Sequence, residues 1–564
     1  MSSVTFVTAI FNIYKHSPES DIIKQRFERF QELALTGINI CLYTEPEFFD
    51  RCCALIELYP NIKVMEPVDI RNSTIVKICS QIEFELPTSR CEKKDNADFM
   101  IFINSKYEFL ENAIALNPWN STHFAWIDFS ITYIFKNLKE SQQYLSCLSK
   151  RTLASSFFAI GGWETEKTSF ESLSESVYKV NWRFCGGFFI GDKDSVTEFI
   201  ELSKQYYLVF MHTYKVLTWE VNFWSWLETF VGWKPTWFYT MFDDGIIKLP
   251  AQFYCQKFMD IKKTSYIYPL LEEFTPSSIS HLYFRENHIL NTRYINYLLM
   301  ENGSYHFCDT KKQIITKNVI SILDNNLFVP NIHYIMNDDT VELEPTVYPK
   351  DSKCDIFGFE DVRLYEYKNK IRFIATNRNF APISSNRMIV GDYNLDTYGY
   401  ENCRVIDSPN KHQYEKNWIP VIHGENEYFI YNWFPMQIYK VNYESNLLEH
   451  VHTHFNTKTA PDFYRIRGSS AFINIDNILL GVVHFSDDCR PRRYYHMLVS
   501  LNNDSLCPMK YSEPFCFQHI GVEFCTGFWK DNDEYIFWVS KMDRNPSMIR
   551  IPAHNIPLKF SFAT

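Results

Sequence analysis

Two clusters in this 564-residue chain have the residue types for chemistry. The first is Asp128, which ends the apolar run His123–Ile127 in "HFAWIDFSI". A carboxylate next to so apolar a strand needs a positive partner, because an unpaired buried charge costs several kcal/mol. A divalent ion holding a diphosphate would supply that charge; so would a basic residue or a helix starting near Ser130. The second cluster is "FGFEDVRLYEY" (357–367), which packs Glu360, Asp361 and Arg363 ahead of a strand. Strand alternation places Asp361 and Arg363 on one face, where the cation tunes the acid. A carboxyl tuned in this way can protonate a glycosidic oxygen; the same pair would also serve as a structural ion pair between sheets.

Weaker signals surround these two. In "TWEVNFWSWLE" (218–228), Trp219, Phe223 and Trp226 share a helical face, a stripe typical of core, while Glu220 points elsewhere and is placed to orient or deprotonate an acceptor hydroxyl. "CGGFFIG" (185–191) reads as an acceptor-side strand with Gly186 and Gly187 opening the backbone to a substrate, or as a bulge under a helix. Asp243-Asp244 is a turn or a source of a second acidic ligand, Asp244. Lys416-Asn417, Arg467, His484 and Glu523 each adjoin a predicted strand end.

The elements that must position these groups fall into two halves, an α/β half over 1–265 and an all-β half over 275–564. "VTFVTAIFNI" (4–13), "INICLYT" (38–44), "FMIFINS" (99–105) and "THFAWIDF" (122–129) read as strands. The segment 21–37 reads as an amphipathic helix, and helices dominate 192–230. Beyond 280, short Tyr-, Phe-, Ile- and Val-rich runs recur between turn residues, enough for about twenty strands and hence about five four-stranded propeller blades.

Composition narrows the function classes. Hydrophobic residues make up 46% and aromatic residues 17%, and the net charge of −11 disfavours a nucleic-acid binder. Neither a leader nor a run of about 18 apolar residues is visible, so the expectation is a cytoplasmic protein without a transmembrane segment, in a host cytoplasm or virion if viral. The 15 cysteines show no zinc spacing and read as free thiols.

"VTFVTAIFNIYK", "WIDFSI", "FCGGFFIGDKDSVTEFI" and "LTWEVNFWSWLE" resemble, in order and spacing, the HtrL/YibB family, whose members look like GT-A glycosyltransferases. The resemblance covers about 1–250. It implies a GT-A-like (Rossmann-like) domain that moves a hexose from a nucleotide sugar to a glycan or glycoprotein acceptor. Asp128 would stand at the metal-binding acidic motif with Mn²⁺ or Mg²⁺, with Ser130 where that motif has its second Asp. Thr8, Ala9, Asn104, Gly186, Gly187 and Trp219 would contact the substrates. The 357–367 block resembles the G-x-E-D-P-R motif of β-mannoside phosphorylases and the related β-1,2-mannosyltransferases, which are five-bladed propellers, with Val362 in place of the proline. That resemblance makes Asp361 the proton donor and implies a phosphate-binding cluster of Arg363, Arg378, Lys416, Arg467 and His484. The expected protein is a two-domain glycosyltransferase whose propeller is a second transferase, a phosphorylase or a glycan-holding module; the alternative is a non-enzymatic glycan-binding scaffold with a degenerate α/β half.

Overall fold

The computed structural model describes residues 3–166, 176–258, 261–307, 313–324, 327, 333–343, 355–382, 385–410, 413–455, 461–487, 489 and 492–562. The chain divides into two compact units, Met1–Tyr254 and Cys255–Thr564.

The first unit is built on a mixed seven-stranded sheet. Its strands are β1 (Val4–Ile10), β2 (Asn39–Thr44), β3 (Ile62–Val64), β4 (His123–Ile127), β5 (Phe158–Gly162), β6 (Phe188–Asp192) and β7 (Thr236–Tyr239), in the order β3-β2-β1-β4-β6-β5-β7. Only β6 runs against its neighbours β4 and β5; the other pairings are parallel. Every residue of β1 and of β4 is buried, as strands covered on both faces require. Among the described residues the α-helices are α1 (Asp21–Ala34), α2 (Pro46–Leu58), α3 (Thr74–Cys79), α4 (Ala97–Asn104), α5 (Lys106–Leu116), α6 (Leu138–Leu148), α7 (Lys193–Tyr214) and α8 (Glu220–Trp226). Ser20 caps α1, accepting from the Ile23 N–H, and the helix buries Ile23, Phe27, Phe30 and Leu33 at helical spacing.

The run "FMIFINS" is helix, not the expected strand: it lies in α4, whose cap Asn96 accepts from the Phe99 N–H at 2.8 Å. A short, wholly apolar run has no period to separate the two states, and here the cap decides. The end of α4 then sets up the site. Asn104 donates from Nδ2 to Met100 O and to Thr218 O, both at 2.8 Å, which ties this corner to the segment leading into α8.

The second unit is mostly β and contains five antiparallel meanders. The first comprises Thr275–Phe284, Asn287–Ile295, Ile314–Leu323 and His333–Ile335. The second comprises Glu360–Tyr367, Lys370–Asn377, Arg387–Asn394 and Gly399–Ile406; the third, Ile419–His423, Asn426–Trp433, Met436–Asn442 and Leu447–His454. The fourth centres on Ile478–Asp487 and Arg493–Asn502, flanked by Arg467–Gly468, Ile473–Ile475 and Pro508–Tyr511. The fifth comprises Glu523–Asp531, Glu534–Lys541 and Arg544–Pro552, completed by Lys262–Ser265 from the other end of the unit. The first strands of the first and fifth meanders meet at Ser280 and Thr526. As named, these meanders hold 21 strand segments among the described residues, close to the twenty or so expected from the turn spacing.

Among the described residues no helix is long and apolar enough to cross a membrane.

Candidate functional site

In the first unit the strand order reverses between β1 and β4, and ligands of open α/β sheets bind beyond the carboxyl ends of strands at such a switch point. Asp128 stands there, immediately after β4. Its side chain is not buried with the strand but 45% exposed, and the positive charge beside it is Lys106. Lys106 is the first residue of α5 and only 3% exposed, with Nζ 3.5 Å from Asp128 Oδ1. The same ammonium donates to Glu220 Oε1 and to Gly186 O, each at 2.8 Å. Burial opposes its charge, but Asp128 and Glu220 together outweigh burial and hold the Lys106 pKa above its ordinary value. Trp126 Nε1 donates to Asp128 Oδ1 at 2.8 Å, and the Asp128 N–H donates to Gly187 O.

Glu220 is buried behind Lys106, so the expected contact with an acceptor hydroxyl gives way to an internal ion pair. Gly186 serves that pair rather than a substrate: a Cβ there would stand 2.1 Å from Glu220 Oε1. Gly187 faces Asp128, with its Cβ position 3.4 Å from Oδ2. Thr8 and Ala9 are buried inside β1, Asn104 is spent on backbone carbonyls, and Trp219 joins the core stripe with Phe223 and Trp226. Asp244 is held by Lys248 at 2.8 Å and by Ser141 Oγ at 3.3 Å. Among the described residues no group of three or more His, Cys, Asp or Glu side chains is arranged for a metal ion. Because Lys106 Nζ already takes Asp128 Oδ1 and Glu220 Oε1, the residues around Asp128 do not fit the Mn²⁺ or Mg²⁺ site expected from the resemblance.

In the second unit, strands of different meanders and the segments between strands bring charged side chains to one cavity of about 210 Å³. Its lining includes the acids Glu360, Asp361 and Asp543 and the bases Lys416, Arg465, Arg467 and Arg492, of which Arg465 pairs with Asp462 and Asp487. Arg293 grips two of the acids, Nη2 to Glu360 Oε1 at 2.5 Å and Nη1 to Asp361 Oδ1 at 3.2 Å. Tyr297 donates to Asp543 Oδ2 at 3.3 Å. Burial pushes the Glu360 and Asp543 carboxyls above the usual range, and the Asp361 charge adds to it in both cases. Lys416 is shifted down, chiefly by burial; Arg467 and Arg492 add to the shift, while Asp361 and Glu360 oppose it. A second cavity, of about 760 Å³, shares Tyr305, Arg492, Tyr494, Val522 and Asp543 with the first.

The predicted pairing of Asp361 with Arg363 fails. Asp361 has φ +53° and the register shifts between Glu360 and Arg363, so the alternation that would align the two side chains is broken. Arg363 is fully buried outside the cavity. It donates to Ser469 O, Gly468 O, Asn417 Oδ1 and the backbone oxygen of Asp361, and burial lowers its pKa to about 10. Arg378 also leaves the expected cationic cluster, lying 3.7 Å from Asp355. Glu523 is buried and takes the N–H groups of Phe517, Gln518 and His519, closing a loop instead of lining the cavity. Lys416, Asn417, Arg467 and His484 do line it, with His484 Nδ1 2.8 Å from Ser469 Oγ. Arg293, Arg492 and Asp543 were not singled out by sequence reasoning. Asp543 sits in the turn "KMDRN", where an acid reads as ordinary turn chemistry, and Arg293 lies inside a strand; only the basic run around Arg492 offered a signal.

No curated protein matches this chain. The second unit is structurally similar to mannoside phosphorylases. A β-1,2-mannobiose phosphorylase from Listeria innocua has TM-score 0.35 at 12% identity, covering 52% of this chain and 98% of its own. A mannose phosphorylase from Leishmania mexicana in complex with phosphate ion has TM-score 0.31 at 10% identity, covering 54% and 93%. An exo-1,5-α-L-arabinanase from a bovine ruminal metagenomic library has TM-score 0.29 at 7% identity, covering 50% and 94%. Residues 2–217, which lie in the first unit, match the model of the HtrL_YibB family, described as a bacterial protein of unknown function.

Proposed function

We propose that this chain is a two-unit carbohydrate-active enzyme, with a GT-A-like hexosyltransferase as its first unit and a five-bladed propeller as its second. In the second, a glycosidic bond is exchanged with an anionic co-substrate, inorganic phosphate in the first instance. The observation that carries this reading is the charge content of the 210 Å³ cavity, whose lining holds Glu360, Asp361 and Asp543 together with Lys416, Arg467 and Arg492. An anion held by these cations forms its bond to the anomeric carbon while the glycosidic C–O bond breaks and the leaving oxygen takes the proton of Asp361. The resemblance of residues 357–363 to the β-mannoside phosphorylase motif supports the choice of Asp361. Asp543 lines both cavities and so stands where an inner and an outer sugar would join. The first unit is read as using a nucleotide sugar because Asp128 lies at the switch point of its sheet.

The test is incubation of the full chain with β-1,2-mannobiose and related mannosides in phosphate, reading release of mannose 1-phosphate by mass. Release that falls at least a hundredfold in Asp361→Asn supports the reading. A panel that yields neither sugar phosphate nor free sugar overturns it. The second reading, a glycan-holding module, draws on Arg293, which already engages both Glu360 and Asp361 in ion pairs. It requires mannoside binding without turnover.

A further inference from the structure

The seat a divalent ion would take beside Asp128 is occupied by a side chain. Three oxygens converge on Lys106 Nζ: Gly186 O and Glu220 Oε1 at 2.8 Å, and Asp128 Oδ1 at 3.5 Å. Two carboxylates and a carbonyl around one point form the kind of donor set that hard cations take. Here the cation is an ammonium fixed at the start of α5, with the Trp126 ring centre 5.2 Å away. The surroundings are shaped to keep it there. Any side chain at 186 would collide with Glu220, and Asn104 anchors the end of α4 to the segment before α8. Asp128 Oδ1 is also held by Trp126, so Oδ2, facing Gly187, is the oxygen left for a ligand. Asp244, the other candidate acid, is engaged by Lys248 and Ser141.

We propose that Lys106 is the built-in cation of the first unit, standing where a divalent ion would sit, so that Asp128 Oδ2 meets a sugar hydroxyl directly and ligand binding needs no metal. Lys106 is a positioning residue here: it touches no ligand and acts by holding Asp128 and Glu220. The nature of the ligand rests on the nucleotide-sugar reading above, whereas the exclusion of the ion rests on the contacts of Nζ alone.

The deciding measurement is Mn²⁺ binding to the full chain, followed by electron paramagnetic resonance. The wild type is expected to show no Mn²⁺ site that Asp128→Asn removes, up to millimolar ion. Lys106→Ala, which vacates the seat and leaves its three oxygens, is expected to gain a site at least tenfold tighter than any in the wild type, lost again when Glu220→Gln is added. A wild-type site abolished by Asp128→Asn overturns the proposal, as does a folded Lys106→Ala that gains none. If Lys106→Ala does not fold, the comparison of wild type with Asp128→Asn decides alone. Calorimetry with UDP-glucose and GDP-mannose, with and without EDTA, separates this inference from the reading it builds on. Equal affinity in EDTA supports it, and a tenfold loss overturns it. Failure of both donors to bind counts against the nucleotide-sugar reading, and the Mn²⁺ comparison then decides the role of Lys106.

Discussion

His496 is fully buried in the fourth meander, and neither ring nitrogen has a hydrogen-bond partner among the described residues. Burial alone pushes its pKa down to about 3, and His281 and His484 move the same way, burial again first. Between pH 3 and the unfolded value near 6.5 the unfolded chain holds a proton that the folded chain refuses, so stability rises with pH across that window and is lost as pH falls. For one such histidine the slope is about 1.4 kcal/mol per pH unit once below roughly pH 6. Urea denaturation of the full chain between pH 7 and 5 should show the loss, and His496→Leu should flatten it by about that amount per unit. An unchanged slope would mean that the ring is protonated in the fold. None of this could be read from "YYHML", where the histidine is one polar letter in an apolar run. Asp128 is the opposite case. Its position was legible because an acid closes an apolar strand, but its partner lies 22 residues earlier in the chain, on another element.

The elements themselves were legible where the period was strong and illegible where the backbone departs from it. The apolar runs at 4–13, 38–44 and 122–129 do contain β1, β2 and β4, and 21–37 contains α1, because a continuous apolar run and a 3.6-residue stripe each have one economical solution. The bulge at Asp361 was invisible, since a non-glycine residue at φ +53° leaves no mark in the sequence pattern. Equally hidden was the pairing of Lys262–Ser265 with Arg544–Pro552, almost three hundred residues apart, which completes the fifth meander. Without that strand, the third strand of this meander becomes an open edge bearing unpaired N–H and C=O groups. A fragment of residues 255–564 should therefore unfold cooperatively. One of residues 275–564 should melt several degrees lower and associate at micromolar concentration, as read by calorimetry and light scattering. Equal melting of the two fragments would show that the pairing contributes nothing to the unit.

At the scale of the whole molecule, two compact units, each with its own candidate site, make a prediction that neither unit makes alone. A ligand that binds only the folded state stabilises what it binds, by about 2.7 kcal/mol at a hundred times its dissociation constant. For units of 254 and 310 residues that is a rise of roughly 4–5 °C in the melting transition concerned. In the full chain, UDP-glucose or GDP-mannose should raise only the transition belonging to Met1–Tyr254, identified by its coincidence with that of the separate fragment. β-1,2-Mannobiose with phosphate should raise only the transition belonging to Cys255–Thr564. The site residues supply the controls. Asp128→Asn should cancel the first shift and leave the second, and Arg467→Met, which removes a cation from the cavity lining, should do the reverse by weakening the hold on phosphate. A single transition that moves with either ligand would mean that the units unfold as one. The chain would then be a coupled machine, in which occupancy of one site alters the stability of the other.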